Sequence, residues 1–570
     1  MQKIWVTVVK GITGVGILAL TFLNYHAPQS QGMDAQVSTQ KAGLQVSLAS
    51  GNALAEEQPE TPDTGRWLAG DLHNHTYLTD GSNVPDQVFA HAFQFGLDWI
   101  ANSEHGGAFG RNAEGQSWPA DTDFLGSPPA GKMWRWQSLW QYSWPLVAKA
   151  RATWPDKLIV QGYEWNVPGH DHASVAIVGP AEEGGLAIAR HEYLFDDKDS
   201  GTTADNDLGT SGKLLENNHA KAVAGVKWLD QYYPQSSYFL INHPSRWQNY
   251  SIGAIRDFHD AAPNVAFGFE GLPGHQKAAQ RGHYDGGPFK DSAGRDITFR
   301  ARTYGGADYM LARVGGAWDA LLGEGRRFFV FVNSDFHTTE HDFWPGEYAK
   351  NHTYVQDLNH DGSYSADELI AGLRSGNSFI VQGDLIDGLQ FSIQCRQQKQ
   401  KITWMGGTLE TQDGCDPQMT IRFRSPSRNN NGDTVAVDHI DLIGGEVRAK
   451  APKFLADGVT PNPDYEGEIN AGTRIMASFA RKDWKEELSG RDGRKAGEEN
   501  WQSIVYQMPR LDRDMYFRLR GTNLGRDVKN ETDEQGNPLS DDLLAPNTQD
   551  KAYADLWFYS NPIFVRVARP

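Results

Sequence analysis

Two histidines, His73 and His75, lie two residues apart where an apolar run over 67–70 gives way to a polar loop. Residues i and i+2 of an extended chain point to the same side, so both imidazoles can bind one cation. The turn at 79–82 brings Asp80 back toward them, and imidazole with carboxylate suits zinc, manganese or iron. The spacing predicts the start of a metal site; the alternative is a pair of solvated loop histidines.

The same pattern, a candidate ligand at the end of an apolar stretch, recurs further along the chain. His105 follows 98–104, Glu164 follows 158–163, His243 follows 238–242, and Asp335 and His337 follow 327–332. His172 differs because it precedes its apolar stretch, at 173–178. In barrels of alternating strands and helices, loops at the carboxyl ends of the strands share one mouth, so these side chains can converge. The spacing therefore predicts a polynuclear metal centre.

Helical periodicity separates the predicted strands, with helices expected over 85–95, 132–153, 223–233 and 310–322. This alternation indicates an α/β fold. Two polar insertions interrupt it. The first, Gly106 to Gly131, is long enough to be predicted as a lid over the site, and the second, 180–219, is predicted to flank it.

Five ordered motifs between about residues 65 and 390 resemble those of the polymerase and histidinol phosphatase (PHP) superfamily of metal-dependent hydrolases. The motifs are Asp71-Leu72-His73-Asn74-His75 with Asp80-Gly81, Ser103-Glu104-His105, Gly162-Tyr163-Glu164, Asn242-His243-Pro244 and Asp335-Phe336-His337. The resemblance implies a distorted (β/α)7 TIM-like barrel that binds two or three zinc, manganese or iron ions. It also implies a metal-bound hydroxide that attacks an ester.

The resemblance further implies how the ligands are divided among the ions. His73, His75, Glu164 and Asp335 would bind one ion, Glu164, His172 and His243 a second, and Asp80, His105 and His337 a third. A bridging carboxylate such as Glu164 holds two ions about 3.5 to 4 Å apart, and we expect Glu164, Asp335 and His337 to be central to catalysis. His170 and His172 flank Asp171 and, two residues apart, can point the same way, so either could coordinate. His172 is favoured because it lies directly before the apolar run.

Several polar residues are expected to capture the substrate at the mouth: Arg246, Arg281, His283 and Tyr304. Arginine forks suit phosphate or carboxylate, although each of these residues could instead be structural. The segment Glu270 to His275 ends another strand and is expected to support the ligands from behind. Tryptophans at 165, 247 and 344 could form a stacking wall for an organic group, or simply pack.

A separate twelve-residue stretch, Asp357 to Glu368, fits the calcium-loop pattern of the EF-hand. Calcium would be bound by the side chains of Asp357, Asn359, Asp361 and Glu368 and by the carbonyl of Ser363. A helix-like run over 366–374 follows, but the preceding segment looks like a strand. The alternative is an acidic helix-capping turn with Ser365 as the cap.

The chain divides into four predicted parts. Residues 1–28 are predicted to be a signal peptide or an uncleaved membrane anchor, because Lys3 and Lys10 precede an uncharged apolar stretch over 11–23. Residues 29–64 are a flexible linker, 65–388 the metal-dependent hydrolase domain and 389–570 a β-rich accessory domain. Short strands alternating with Gly, Asn, Asp and Pro predict a β-sandwich there. It would pack against the barrel or bind a polymer.

The two cysteines, Cys395 and Cys415, lie close together in this β-rich part. In an exported, periplasmic or extracellular protein they could form one disulfide; the alternative is two free thiols. The net charge of -19 argues against broad binding to nucleic acid or anionic membrane. Membrane attachment is expected only through the amino terminus.

Three functions from different classes fit these features. The favoured one is a hydrolase that cleaves a phosphate ester of a small molecule or polymer, as a phosphatase or phosphodiesterase. Metal chemistry of the same kind would also serve an amide or lactone. The third is a metal-stabilised binding protein without turnover, because fold resemblance alone cannot decide function.

Overall fold

The apolar stretches predicted as strands form one large mixed sheet in the computed structural model. It describes residues 65–568 except 180, 202–205, 285–286, 292, 399–400, 413–414, 488–500, 527, 529–531 and 542–551. The predicted leader or anchor and the linker, 1–64, lie outside the described residues. All described residues belong to one compact unit, and none of their helices is long and apolar enough to cross a membrane.

The strands of the first two thirds of the described chain supply the site. They are β1 Gly65–Asp71, β2 Trp99–Asn102, β3 Ala108–Phe109, β4 Met133–Trp134, β5 Leu158–Asn166, β6 His172–Ile177, β7 Ser237–Ile241, β8 Ala266–Leu272, β9 Thr303–Tyr304, β10 Ala307–Asp308, β11 Phe329–Val332, β12 Ala349–Gln356 and β13 Ser378–Gln382. In the large sheet they run in the order β11, β8, β7, β6, β5, β2, β1, β12, β13. The predicted α/β class is confirmed.

Strand direction in this sheet is mixed. The pairs β1 with β2, β2 with β5, β7 with β8 and β8 with β11 are parallel. Strand β6 is antiparallel to both of its neighbours, β5 and β7. Its amino end therefore lies at the same edge of the sheet as the carboxyl ends of β5 and β7.

Strand pairing does not close this sheet into a barrel within the described residues. At the β11 edge, side-chain amides replace a neighbouring strand: Val330 N donates to Asn561 Oδ1 at 2.8 Å and Val332 N to Asn351 Oδ1 at 2.9 Å. Beyond β11, Asp335 N donates to the carbonyl of His73 at 2.9 Å. The two ends of the curved sheet thus meet through side chains and loops.

The helices cover the sheet and connect its strands. They are α1 Pro85–Gln94, α2 Arg135–Ser138, α3 Trp144–Thr153, α4 Ala181–Phe195, α5 His219–Tyr232, α6 Ile252–Ala261, α7 Tyr309–Ala312, α8 Ala317–Leu322 and α9 Ala366–Ser375, with a π-helix at Leu139–Ser143. Alternate strand residues face opposite sides, so Ile100 packs with α1 and α3 whereas Trp99 packs with α9. Two predicted helices are interrupted: 132–153 by the π-helix, and 310–322 by a turn at 313–316.

The β-rich part continues the large sheet and adds a second one. Its strands are β14 Gly388–Cys395, β15 Ile402–Trp404, β16 Thr408–Gln412, β17 Pro417–Arg424, β18 His439–Glu446, β19 Arg474–Ala480, β20 Lys485–Glu486, β21 Gln502–Gln507, β22 Met515–Thr522, β23 Trp557–Ser560 and β24 Ile563–Ala568. Strand β23 pairs with β13 and so extends the large sheet, while β15, β14, β17, β21 and β20 form a separate sheet. Both sheets contribute to one hydrophobic core, and Cys395 and Cys415 form a disulfide.

Candidate metal centre

The candidate ligands lie together at one edge of the large sheet. His73, His105, His243 and Asp335 follow the carboxyl ends of β1, β2, β7 and β11, and Glu164 lies near the end of β5. His172 begins β6, which runs in the opposite direction, and this places it at the same edge. The antiparallel strand therefore explains why this one candidate precedes its strand.

Glu164 is the centre of the cluster. It is 1% exposed, and its two carboxylate oxygens are shared by the imidazoles of five histidines. Oε1 lies 3.1 Å from His73 Nε2, 3.0 Å from His172 Nδ1 and 3.4 Å from His243 Nε2; Oε2 lies 2.8 Å from His105 Nδ1 and 3.5 Å from His75 Nε2. The Asn242 amide also donates to Oε1 at 2.9 Å, which fixes the orientation of the carboxylate.

The first group of converging atoms comes from His73, His75, Glu164 and Asp335, all buried. The Nε2 atoms of the two histidines are 3.0 Å apart, and each lies 3.1 Å from Asp335 Oδ1. Neighbouring ligands of an ion bound at about 2.1 Å are separated by about 3.0 Å when they subtend a right angle. The separations therefore fit ligands of one cation.

In the second predicted group, Glu164 Oε1 faces His172 Nδ1 and His243 Nε2, whereas Asp171 converges with the same two histidines from the Nδ1 side of His243. Asp171 Oδ2 lies 3.3 Å from His243 Nδ1, and Oδ1 lies 3.7 Å from His172 Nδ1. Arg246 Nη2 is 3.4 Å from Asp171 Oδ1. Burial raises the pKa of Asp171, but His243 and Arg246 outweigh it and hold the pKa below its usual range, so this carboxylate is ionised.

The third group, Asp80 with His75, His105 and His337, is the open side of the cluster. Asp80 Oδ2 lies 3.4 Å from His105 Nε2, and Oδ1 lies 3.4 Å from His337 Nε2. The Asp80 side chain is 48% exposed, whereas that of His75 is fully buried. Asp80 is therefore the most exposed of the candidate ligands, ahead of His172 at 23%.

Buried groups behind the cluster hold its loops in place. Asp71 accepts hydrogen bonds from His73 N and Ser334 N at 2.8 and 2.9 Å and so joins the loops after β1 and β11. Burial raises the pKa of Asp71 to about 7. The hydroxyls of Thr76 and Thr79 both donate to Glu104, and Glu270 accepts from His243 N at 2.8 Å.

The electrostatics of the cluster fit divalent cations. Burial lowers the pKa of His105, but Glu164 and Asp80 overcome it and raise the pKa to about 10; burial, with His337 and His105 nearby, lowers the pKa of His75 to about 3. Among the described residues, buried atoms without a hydrogen-bond partner include His73 Nδ1, Glu164 Oε2, His172 Nδ1 and His243 Nε2. Buried polar atoms normally have partners, and cations would supply partners for the ligand atoms here.

The alternative ligand His170 points elsewhere. Its Nδ1 lies 2.9 Å from the carbonyl of Asn249 and its Nε2 lies 2.8 Å from His219 Nδ1. Its ring stacks on Tyr250. The structure therefore brings His172, and not His170, to Glu164.

Of the residues expected to capture substrate, Arg246 reaches the cluster. The prediction that Arg281 lines the mouth of the site is wrong, because Arg281 is buried away from it. Its side chain is 1% exposed, and its guanidinium donates to Tyr348 Oη at 2.6 Å and to Asp555 Oδ2 at 3.2 Å. Tyr304 uses its hydroxyl to donate to the carbonyl of Phe299 at 2.6 Å, and His283 is exposed.

The three tryptophans beside the ligands differ in exposure. Trp165 is fully buried and Trp344 stacks on His91 and Phe336, so both pack within the fold. Trp247 is 41% exposed and its ring faces the Arg246 guanidinium. Trp247 is therefore the most exposed of the three.

The predicted calcium loop has its carboxylates bonded to its own backbone. Asp357 accepts from Gly362 N at 2.9 Å, and Asp361 accepts from Ser363 N at 2.8 Å. Glu368 and Ser365 form a capping box at the start of α9. The carboxylates of this loop are not among the described groups whose ligand atoms converge, so calcium binding stays a prediction.

Sequence reasoning placed His275 only in a segment that supports the ligands, and it missed Asp171 as a member of the cluster and Asp342 as the neighbour of His275. His275 forms a converging group with Asp335 and His337, and its Nδ1 lies 2.6 Å from Asp342 Oδ1. The signal that could have found His275 is the one that found the others, because it follows a buried strand, β8. Asp171 precedes β6, next to His172.

Known proteins offer only distant comparisons. No protein-family description matches the chain, and no curated protein matches it. Among solved structures, it is similar to a two-domain protein from Bacteroides vulgatus containing a predicted PHP-like metal-dependent phosphoesterase, with 11% identity over 82% of this chain and 95% of that chain and a TM-score of 0.30. A second is PsfC from Pseudomonas syringae, with 14% identity over 54% of this chain and 88% of that chain and a TM-score of 0.27.

At these identities and TM-scores, neither structure carries an argument about this chain. The assignment depends instead on the chain's own residues. The buried histidines and carboxylates, with their shared Glu164, fit a metal-dependent hydrolase that binds divalent cations.

Proposed function

We propose that the chain is a metal-dependent hydrolase of the PHP type that cleaves a phosphate ester. The observation that carries the proposal is the sharing of both Glu164 oxygens among the histidines of the cluster. A carboxylate that faces two sets of imidazoles is suited to bridge two cations. Among those imidazoles, the motifs that resemble the family supply those of His73 and His105.

Divalent ions bound here would lower the pKa of a coordinated water toward about 7 and polarise an oxygen of the substrate. The protein's part is to hold the ligands and leave one side open. Asn242 orients Glu164, Asp71 joins the loops that carry His73 and Asp335, and the exposed Asp80 side admits the substrate. No side-chain nucleophile is required for this chemistry.

The charge beside the cluster favours an anionic substrate. Arg246 lies three residues after His243, its side chain is 14% exposed, and its Nη2 lies 3.4 Å from Asp171 Oδ1. The exposed part of a guanidinium can bind a phosphoryl oxygen, and Trp247 beside it offers a ring for an organic leaving group. These two residues support a phosphate ester over an uncharged amide or lactone.

The proposal is tested by assaying purified protein that has been stripped with a chelator and reloaded with zinc, manganese or iron. The substrates are p-nitrophenyl phosphate, bis(p-nitrophenyl) phosphate, an anilide and a lactone. We expect hydrolysis of a phosphate ester by the loaded protein alone. Glu164→Gln should lower kcat on the order of 1,000-fold, because the bridging charge is lost.

Glu340→Gln, at an exposed position, is the matched control and should retain full activity. Hydrolysis of only the anilide or the lactone would contradict the phosphate ester and assign an amide or a lactone as the substrate class instead. Absence of hydrolysis with all four compounds would favour a metal-stabilised binding protein. Full activity in Glu164→Gln would refute the site itself.

A further inference from the structure

His275 lies beside the cluster because of a close backbone approach. It follows β8 through Pro273 and Gly274, and a Cβ atom on Gly274 would lie only 2.2 Å from the carbonyl oxygen of Ser334. Glycine therefore allows the β8 end to pack directly against the segment that carries Asp335. The result is a distance of 3.0 Å between His275 Nε2 and Asp335 Oδ2.

Asp342 fixes the orientation of the His275 ring. Its Oδ1 lies 2.6 Å from His275 Nδ1, and its Oδ2 accepts from His337 N at 2.6 Å and Thr338 N at 3.0 Å. Asp342 is fully buried. A carboxylate acceptor keeps the proton on Nδ1, which leaves the Nε2 lone pair directed at Asp335 Oδ2, and this carboxylate–histidine arrangement is typical of metal-ligating histidines.

In a neutral His275 with its proton on Nδ1, Nε2 and Asp335 Oδ2 would both be acceptors, and a cation is what two acceptors at this separation can share. Asp335 Oδ1 already faces His73 and His75, so its second oxygen is the one available to His275. His275 has a φ of 54°, and Asp335 and His243 also have positive φ, at 43° and 29°. Such backbones are uncommon for residues other than glycine and cluster at functional sites.

We propose that His275 is a further metal ligand, held by Asp342 and sharing the carboxylate of Asp335 with the His73 and His75 site. It extends the centre beyond the ligands that the family motifs supply. This inference rests on the proposed metal-dependent function, because it adds a ligand to the same centre.

Metal binding, rather than activity, provides the test. His275→Ala, His275→Gln and Asp342→Asn are stripped, reloaded with manganese or zinc, and compared with the unchanged protein by elemental analysis and by competition with a chelator of known affinity. We expect the two His275 variants to lose one ion per chain or to bind it on the order of 100-fold more weakly. Asp342→Asn should weaken binding by about 10-fold to 100-fold.

His439→Ala is the matched control, since its Nδ1 also lies beside a carboxylate, 2.9 Å from Asp438 Oδ1, but it belongs to β18 in the β-rich part. It should leave the ions per chain and their affinity unchanged. The Gln variant keeps much of the side-chain volume, and a melting curve for each variant verifies folding. Equal metal content and affinity in folded His275→Gln would overturn the proposal.

The two proposals fail in different ways. Unchanged protein that binds less than about one ion per chain would contradict the metal-dependent function itself. Unchanged protein that binds its full set and hydrolyses a phosphate ester, with His275 variants that bind equally well, would refute only the role of His275. A hydrogen bond from a protonated His275 to Asp335 would give this second result.

Discussion

At the residue scale, the site depends on one buried carboxylate surrounded by imidazoles. Glu164 has His73, His172 and His243 at one oxygen and His75 and His105 at the other. A buried charge is costly unless it is paired, so this arrangement is stable only when positive charge is bound. Metal ions, or protons on the imidazoles, must supply that charge.

A buried histidine outside the cluster should make the stability of the protein depend on pH. Burial lowers the pKa of His191 to about 3; its Nδ1 lies 2.7 Å from Tyr163 Oη and its Nε2 lies 3.3 Å from the carbonyl of Gly225. Its folded pKa is below the unfolded value of 6.5, so its contribution to stability is complete above pH 6.5 and is lost as the pH falls toward 3. The loss should reach about 2 kcal/mol at about pH 5.

His191→Gln removes the titrating group. Between about pH 7 and pH 5, the free energy of unfolding of the variant should therefore decrease by about 2 kcal/mol less than that of the unchanged protein. Both the variant and the unchanged protein are first stripped of metal with a chelator, because the metal ligands also titrate in this range. Urea unfolding at several pH values measures the difference. If the free energy of unfolding changes equally with pH in the variant and the unchanged protein, His191 is not held neutral in the folded state.

Individual residues show how much of the site the sequence predicts. His73, His105, His243 and Asp335 are recognisable because each follows an apolar strand. His172 is recognisable only by its place directly before an apolar run, since the reversed direction of β6 depends on pairing with β5 and β7. Contacts between distant segments explain the remaining misses: Gly274 brings His275 to Asp335, and Asp555 buries Arg281.

At the element scale, a strap between β2 and α2 positions the open side of the site. The strap, 106–134, contains the β3–β4 hairpin and ends at Arg135, which is 1% exposed. Arg135 donates to the carbonyls of Leu78 and His105 at 2.6 and 2.7 Å. It thus joins the loops that carry Asp80 and His105 from the start of α2, just beyond the segment 106–131 that the sequence predicts as a lid.

Arg135→Met leaves both carbonyls without their donor, which should lower the free energy of unfolding by about 2 to 4 kcal/mol. It should also weaken binding of the ion held by Asp80, His105 and His337, since two of these ligands lose their anchor. Metal content after extended dialysis and urea unfolding measure the two effects. Retention of every ion by the folded variant would contradict the positioning role.

Arg151→Met is the control for this prediction. Arg151 lies in α3 and its Nε donates to the carbonyl of Ile159 at 2.8 Å, away from the candidate ligands. The change should lower stability without loss of any ion. A loss of metal in both variants would show that general destabilisation, rather than the strap, controls binding.

Element boundaries follow from local sequence only where local forces decide them. Helix α1, Pro85–Gln94, agrees closely with its periodicity and has proline at its start. The expected helix over 310–322 is divided, because Gly315 has a φ of 76° and Val314 N donates to Asn537 Oδ1 at 2.8 Å. The partner at 537 cannot be predicted from the local pattern.

At the scale of the whole molecule, the β-rich part completes the sheet that carries the site. Strand β23 pairs with β13, and Asn561, between β23 and β24, bonds to the β11 edge through Val330. The α/β class and the β-rich character of the final third could be predicted from strand and turn patterns. This continuity could not, because it depends on residues more than two hundred positions apart.

The central claim is that Glu164 and its surrounding histidines hold a polynuclear metal centre. Elemental analysis of the whole protein, purified without added metal and then again after equilibration with manganese or zinc, tests it most directly. We predict about two to three ions per chain, with a loss of at least one in Glu164→Gln and none in Glu340→Gln. Less than about one ion per chain after equilibration would contradict the account.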